Sequence, residues 1–346
     1  AWWRVMRCTC RRKSASRSGK HAPGITSKGF RWRPLLLEGD ELQAALIGGS
    51  GFVGGYLVAA LLDKGHEPSL LVRPGSAPKV RRRGECRITQ GDLASPAAIS
   101  ACLDGCDAVI YNVGILREFP RRGITFEQSQ YQGVVRTIEA AKTTGIRRML
   151  LMSANGVKLP GTPYQETKYR AEQALEKSAL EWTVFRPSVI FGEPHGTMEI
   201  ATQLYRDMIK PPLPAVGFHT GLVPGSGQIL LSPVHVRDVA DAFINALDSP
   251  DTIGKTFRLG GPEMLSWTQM LQRIAAAVGK RKLILPMPIA AMKFGAALFD
   301  WLPFFPATRD QLTMLAEGNT ADPGELQDLI ERDATPFASE NLAYLS

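Results

Sequence analysis

Two groups of residues in this 346-residue chain have types and spacing that could support chemistry. Gly48, Gly51 and Gly54 recur at every third position directly after a short apolar run. Tyr164 and Lys168 are four residues apart, a spacing that places two side chains on the same face of a helix. Because a nearby ammonium favours the phenolate, we expect Lys168 to lower the pKa of Tyr164, and Tyr164 to act as a general acid or base.

The glycine spacing is typical of a phosphate-binding turn between a strand and a helix. The first glycine permits the tight turn, the second lets the backbone approach a pyrophosphate, and the third allows close helix–strand packing. The N-terminus of the following helix offers free N–H groups to the phosphates. The sequence therefore predicts a dinucleotide site whose first contacts come from Gly48, Ser50, Gly51, Phe52, Val53 and Gly54.

The residue about 20 positions further on indicates which dinucleotide is bound. An NAD site usually has Asp or Glu there, whereas this chain has Arg73. A guanidinium matches the charge and the geometry of a 2′-phosphate, so we favour NADP, with NAD as the alternative. Residues 81–83 are also arginines, and we expect at least two of them to be solvated. Asp92 and Leu93 follow the predicted third strand, where Asp92 can accept a hydrogen bond from the adenine amino group.

Short apolar strands alternate with helices along the part of the chain that holds these residues. Such alternation predicts a parallel sheet with helices on both faces, a doubly wound α/β (Rossmann) fold. Tyr164 and Lys168 then lie on the helix that follows the fifth strand. We predict strands at 44–47, 69–72, 88–89, 108–113, 149–152 and 182–186, and helices at 56–64, 95–103, 126–144, 164–178, 236–247 and 267–278.

The chain divides into a leader and one large domain. We expect residues 1–41 to be a disordered basic leader, and residues 42–346 to form the dinucleotide-binding domain. Its smaller C-terminal substrate lobe comes mainly from 187–256 and 262–346. The apolar stretch 286–305 is interrupted by Lys293 and Asp300, which does not suit a membrane-spanning helix. We expect this stretch to be buried in the lobe, or else to dock on a membrane surface or a respiratory complex.

The positive charge of the chain is concentrated in the leader. Ten of the 41 basic residues lie in residues 1–33, which contain no acidic residue, so the other 31 basic side chains face all 33 acidic ones. Nucleic-acid binding by the domain is therefore not expected. An Arg-rich, acid-free leader is typical of a transit peptide, which would direct the chain to the matrix side of the mitochondrial inner membrane. Alternatively the leader is spurious or disordered sequence, and a bacterial protein of this kind would be cytoplasmic.

The cysteines and histidines do not indicate a metal site. The five cysteines are an odd number without the spacing of a disulfide framework, and Cys102 and Cys106 have no His or Cys cluster beside them. We therefore expect reduced thiols and no bound metal.

The motifs together resemble the extended and atypical short-chain dehydrogenases/reductases, a superfamily of NAD(P)-dependent oxidoreductases and epimerase-like proteins. Within it, the chain is most similar to the group that contains the nucleotide-binding accessory subunit of mitochondrial complex I and its bacterial relatives. The residues that carry the superfamily resemblance are 48–54, 92–93, 112–114, Tyr164 with Lys168, 186–187 and 234–239. Those that carry the likeness to the group are 153–156, 185–192, 232–235, 260–263 and 308–312.

The resemblance implies tight NADP(H) binding, often without established turnover. It also implies partners in a respiratory complex or at a membrane surface. The cofactor contacts that it adds are Asn112, Val113, Gly114, Lys168, Arg186 and Pro187.

One position departs from the pattern of active members, which have a catalytic Ser or Thr hydroxyl after the fifth strand. Here Ala154 occupies that place, and Ser153 lies one residue early, so its side chain should point to the other face. Two functions stay open. One is hydride transfer on a small or lipidic carbonyl or alcohol, such as a quinone-like molecule, with Tyr164, Lys168 and Ser153 as the candidate catalytic residues. The other is an accessory or assembly subunit of complex I with little or no turnover.

Overall fold

The computed structural model describes residues 41–221, 223, 226–299 and 308–346. Residues 1–40 of the predicted leader lie outside these ranges, as do residues 300–305 of the apolar stretch. The described residues belong to one compact unit. The strands are β1 Gln43–Ile47, β2 Glu67–Val72, β3 Arg87–Gln90, β4 Ala108–Tyr111, β5 Arg148–Met152, β6 Glu181–Pro187, β7 Ile190–Phe191, β8 Ala215–His219, β9 Leu230–Leu231, β10 Val234–His235, β11 Lys255–Leu259, β12 Leu265–Ser266 and β13 Ile284–Pro288. The helices are α1 Phe52–Asp63, α2 Pro96–Leu103, α3 Gly133–Thr144, α4 Pro163–Glu176, α5 Ile200–Leu204, α6 Val236–Asp248, α7 Trp267–Ala277, α8 Ile289–Phe299, α9 Arg309–Glu317 and α10 Pro323–Gln327.

Seven parallel strands form the central sheet, in the order β11-β6-β5-β4-β1-β2-β3. This order confirms the predicted doubly wound Rossmann fold. The direction of winding reverses between β1 and β4, and ligands of such sheets bind in the crevice at the carboxyl ends of the strands there. The fold therefore places the ends of β1 and β4 at the candidate site.

Helices cover both faces of the sheet. Leu103 of α2, Ile138 of α3 and Leu175 of α4 share one core with alternate residues of the central strands, such as Ile47 and Tyr111. Helices α1 and α6 contact each other and pack on the opposite face. Because strands buried on both faces are mostly apolar, β4 is a continuous hydrophobic run, and so is β5 from Met149 onward, as predicted.

Segments after β6 build a second hydrophobic core. Phe191, Phe218, Trp267, Met270 and Phe337 are among its buried members. The parallel pair β8 and β13 and helix α7 surround this core. In the described part of the apolar stretch, Phe294 on α8 is 69% exposed, so that stretch is not wholly buried. In the described ranges, the chain has no helix of the length and hydropathy needed to cross a membrane.

Element boundaries differ from the predictions chiefly at the predicted site. Helix α1 begins at Phe52, four residues before the predicted start, because Gly51 already serves as its N-cap. Strand β4 ends at Tyr111, two residues early, although the backbone N–H of Asn112 still donates to Ile47 O at 2.9 Å. A π-helical turn at Glu127–Gln132 precedes α3 within the predicted long helix.

Candidate functional site

The glycine turn at residues 48–54 is shaped by close backbone contacts. Gly48 has φ +101°, and a Cβ added there would lie 2.7 Å from the carbonyl oxygen of Asn112. A Cβ at Gly54 would lie only 2.1 Å from the carbonyl oxygen of Gly48. At Gly51 the nearest atom would be 3.5 Å away, and its φ of −88° suits any residue. The geometry thus requires glycine at the first and third positions, whereas a Cβ at the second would make only an ordinary van der Waals contact.

The N-terminus of α1 is open to an anion. Gly51 has no side chain to cap the helix, and the first turn contains no acidic residue. Ser50, Phe52 and Val53 are half-buried around this turn. Unpaired N–H groups at the start of a 12-residue helix attract negative charge, so the turn fits the diphosphate of a dinucleotide.

Arg73 follows β2 and is exposed, and no acidic partner pairs with it among the residues that the structure describes. Asp92 follows β3 and uses Oδ1 to accept from the N–H of Ala94 at 2.9 Å. The half-buried Leu93 accepts from Nη1 of Arg136 through its carbonyl oxygen at 3.2 Å. β2 is the neighbour of β1, and β3 is the next strand outward, so Arg73 and Asp92 lie on the adenosine side of the predicted site.

The three consecutive arginines at 81–83 differ in their surroundings. The Arg81 guanidinium lies 5.0 Å from the centre of the Tyr56 ring, whereas Arg82 pairs with Asp63 and Glu85. Arg82 and Arg83 are exposed, whereas Arg81 is half-buried against Tyr56.

Lys168 on α4 contacts the ends of two strands, β4 and β5. Its Nζ donates to Met152 O at 2.7 Å and to Val113 O at 3.4 Å, and it would lie 3.6 Å from a Cβ at Gly114. The side chain is 4% exposed, and burial lowers its pKa to about 8. Since Asn112 contacts the glycine turn, the structure brings residues 112–114 and Lys168 to the crevice between β1 and β4.

The predicted tuning of Tyr164 is wrong in this structure. Burial raises the pKa of Tyr164 to about 12, and its ring packs edge-to-face on Phe126 at 5.7 Å between centroids. The ammonium of Lys168 donates to two backbone carbonyls, and burial of the phenol dominates. Tyr164 therefore keeps its proton at neutral pH.

After β5, the position at which the resemblance predicts a catalytic hydroxyl is occupied by an alanine. Ala154 is half-buried there. Ser153 is 4% exposed, and its Oγ has no hydrogen-bond partner within the described ranges. Successive side chains of an extended segment point to opposite faces, so Ser153 does not simply replace a hydroxyl at position 154.

Arg186 pairs with a buried carboxylate of the fold, and its predicted cofactor contact stays a prediction. Its Nε and Nη2 donate to the two carboxylate oxygens of Glu172 on α4, at 3.0 and 2.5 Å. Glu172 is fully buried, so this bidentate pair satisfies a charge that would otherwise be costly. Pro187 is buried too, and its carbonyl oxygen accepts from the N–H of Asn155.

Gln165 and Asn155, which the sequence did not indicate, form hydrogen bonds that connect the site to α9 and to the segment after it. Gln165, next to Tyr164, donates through Nε2 to Gly156 O at 2.9 Å and to Glu317 Oε2 at 2.8 Å. Asn155 donates through Nδ2 to the side chain of Asn319 at 2.9 Å. The group resemblance at 308–312 indicated α9, but no signal in the sequence indicated these partners.

Comparison with known proteins supports the nucleotide site. A family model described as NAD(P)H-binding matches residues 48–208. Subunit 9 of the NADH dehydrogenase [ubiquinone] 1 alpha subcomplex from Mus musculus is 26% identical over 78% of this chain and 70% of its own length. The photosystem II assembly factor Ycf39 of Trieres chinensis is 25% identical over 78% of this chain and 80% of its own length. The ceramide reductase of Caulobacter vibrioides is 25% identical over 74% of this chain and 77% of its own length.

Solved structures share the fold at lower identity. The crystal structure of gox2253 has a TM-score of 0.70 and 20% identity, covering 87% of this chain and 96% of its own. MoeE5 in complex with UDP-glucuronic acid and NAD has a TM-score of 0.64 and 19% identity, covering 87% and 97%. The glycine turn, the open helix N-terminus and the family match together identify an NAD(P)-binding site.

Proposed function

Since the chain belongs to the NAD(P)-binding, Rossmann-fold family of proteins like the short-chain dehydrogenases/reductases, we propose that it is an NADP(H)-dependent oxidoreductase. The proposed substrate is a small or lipidic carbonyl or alcohol, and a quinone-like molecule fits this class. The observation that carries the proposal is the convergence of Lys168, residues 112–114 and the glycine turn at one crevice.

Several residues would hold the dinucleotide. The glycine turn and the N–H groups of α1 would bind the diphosphate, Arg73 a 2′-phosphate, and Asp92 the adenine amino group. Lys168 would donate to ribose hydroxyls, because its Nζ already lies among acceptors at the ends of β4 and β5. The bound dinucleotide would supply or accept the hydride.

The acid in the proposed reaction is Tyr164. A phenol with a pKa near 12 keeps its proton at pH 7, so Tyr164 can donate it to a substrate oxygen as the carbonyl is reduced. In the opposite direction the same oxygen would take back the proton. Lys168, one turn after Tyr164 on α4, donates to carbonyl oxygens at the ends of β4 and β5.

The cofactor preference is tested by Arg73→Glu. We expect the wild-type protein to bind NADPH more tightly than NADH, and Arg73→Glu to weaken NADPH binding roughly 10- to 100-fold, because a charge-assisted hydrogen bond is replaced by repulsion. Fluorescence titration with both nucleotides measures the change. Arg83→Glu is the matched control, since Arg83 is exposed on the same loop. Tighter binding of NADH by the wild-type protein would refute the proposed preference.

The names of the relatives support the proposal of a lipidic substrate and of a location in an organelle. One bacterial relative is named ceramide reductase, and another relative is a chloroplastic divinyl chlorophyllide a 8-vinyl-reductase of Zea mays, 24% identical over 84% of this chain. The complex I relatives are mitochondrial. The proposed location is the matrix side of the mitochondrial inner membrane if residues 1–33 are a transit peptide, and the bacterial cytoplasm otherwise.

A second candidate function is an accessory or assembly subunit that binds nucleotide with little turnover. Ala154 favours it, because the site lacks the hydroxyl that would polarise a substrate carbonyl. An exposed apolar and basic edge of the C-terminal lobe also favours the accessory or assembly function. Leu283, Leu285 and Phe294 are exposed there, and residues 280–299 contain four basic side chains and no acidic one. Such a surface suits a membrane or a respiratory complex.

Ala154→Ser distinguishes the two candidates. If the site is catalytic, we expect the new hydroxyl to raise NADPH oxidation about tenfold or more with a panel of short-chain ketones and quinones, because a single oxyanion donor contributes about 10²–10³ in rate. NADPH affinity should not change. Ser153→Ala is the control, and we expect it to leave the rate unaltered. Absence of turnover in every variant would favour the accessory subunit, and loss of activity in Ser153→Ala alone would make Ser153 the catalytic hydroxyl.

A further inference from the structure

A second cleft lies on the outer side of α1, between α1 and α6. Its volume is about 1250 Å³, and the C-terminal segment around Arg332 and Tyr344 closes one side of it. Ala59, Ala60 and Ala240 form a groove with small side chains. None of the residues proposed to hold the dinucleotide or to move a proton lines this cleft.

Two guanidinium groups face the same end of the cleft, beside Tyr56. The side chain of Arg81 packs along α1, where a Cβ at Gly55 would lie 2.9 Å from its Cδ. Its Nη1 is buried and has no hydrogen-bond partner in the described part of the chain. Arg237 is exposed at the start of α6 and likewise has no acidic partner there. Both guanidinium groups oppose the rise that burial causes in the pKa of Tyr56.

Most acidic side chains of the cleft are already paired. Asp63 binds Arg82, Asp241 binds Arg332, and Glu193 lies 3.4 Å from the Nδ1 of His195. Glu331 and Glu340 are exposed on the C-terminal segment, and Lys64, directly after α1, offers a further cation. The two guanidinium groups near Tyr56 are therefore not neutralised by a carboxylate within hydrogen-bonding distance.

The loop opposite Arg81 is held in an unusual conformation. His195 has φ +45°, which is rare for a residue with a Cβ. Tyr56 donates its hydroxyl proton to Glu193 O at 3.0 Å and lies 3.3 Å from the Nε2 of His195. Strained backbone of this kind concentrates at ligand sites.

We propose that this cleft binds a phosphate monoester, with the phosphate between Arg81 and Arg237 and the organic part in the groove between α1 and α6. Guanidinium groups match phosphate in charge and in the geometry of paired hydrogen bonds. A buried guanidinium nitrogen is rarely left without an acceptor, and a phosphate oxygen would supply one after a small movement of Arg81. This site does not depend on the proposed oxidoreductase function, because it shares no residue with it.

The ester can come from a soluble compound or from a lipid, so the test has two arms. Sn-glycerol 3-phosphate is titrated by calorimetry in the presence of saturating NADPH, and vesicles of phosphatidic acid in phosphatidylcholine are tested by co-sedimentation. We expect saturable binding in one arm, weakened at least tenfold by Arg81→Gln and by Arg237→Gln. Arg73→Gln is the matched control, and it should weaken NADPH binding while leaving phosphate-ester binding unchanged.

Three results would overturn the proposal. One is the absence of saturable binding in both arms. The second is loss of phosphate-ester binding in Arg73→Gln but not in Arg237→Gln, which would put the ester in the dinucleotide site. The third is binding that the Arg81 and Arg237 variants retain in full. Thermal melts of all three variants check that they are folded. Failure of NADPH binding would contradict the proposed function but not this site.

Discussion

Replacing Gly54 by alanine is expected to destabilise the protein and to abolish measurable dinucleotide binding. The added Cβ would lie 2.1 Å from the carbonyl oxygen of Gly48 and 2.7 Å from the Cα of Gly49. Both are backbone atoms that cannot rotate away, so α1 must move off the end of β1. We expect a loss of about 1–3 kcal/mol or more in the free energy of unfolding, even though alanine favours a helix over glycine by about 1 kcal/mol. Urea unfolding and NADPH fluorescence titration measure the two effects.

Gly51→Ala is the matched control for Gly54→Ala. The same methyl group meets its nearest atom at 3.5 Å, and the backbone at Gly51 is compatible with any residue. We expect the free energy of unfolding to change by less than about 0.5 kcal/mol. NADPH affinity should fall in this folded variant, because the turn approaches the diphosphate at the second glycine. Equal destabilisation by the two substitutions would contradict the packing described for this turn.

Arg186→Met is expected to have the largest effect on stability away from the glycine turn. Glu172 is fully buried on α4, and Arg186 supplies both of its charge-assisted hydrogen bonds. Removing one partner of a buried pair leaves an uncompensated charge, which costs about 3–5 kcal/mol. Chemical denaturation of the purified protein measures the loss. Because Glu172 lies one turn after Lys168, we also expect weaker dinucleotide binding in this variant.

Two control variants test whether the loss of stability comes from leaving the buried charge of Glu172 unpaired, rather than from removing any arginine. Arg170 lies on α4, like Glu172, and pairs with Glu127 at the surface. We expect Arg170→Met to lower the free energy of unfolding by less than about 1 kcal/mol. In the double variant Glu172→Met with Arg186→Met, no buried charge remains, so much of the stability should return. If Arg186→Met is as stable as the wild-type protein but binds NADPH poorly, the arginine is a cofactor contact after all.

The sequence by itself determined the fold and the position of the site within it. Alternating apolar strands and helices require a sheet covered on both faces, and the crossover rule then leaves few possible strand orders. The glycines at 48, 51 and 54 place a tight turn at the end of β1, which is where the winding reverses. These features depend on residues close together in the chain, so their pattern is visible without a structure.

Only the tertiary structure decided the electrostatics of the site. Lys168 contacts Val113 and Met152, and Arg186 pairs with Glu172, although the partners are 14 to 55 residues apart in sequence. The same holds for Glu317, which reaches Gln165 across 152 residues. Whether a lysine lowers the pKa of a tyrosine four residues away depends on which acceptors the ammonium finds and on how deeply the phenol is buried. Burial and long-range pairing are properties of the packed chain, and they raise the pKa of Tyr164 and pair Arg186 with Glu172.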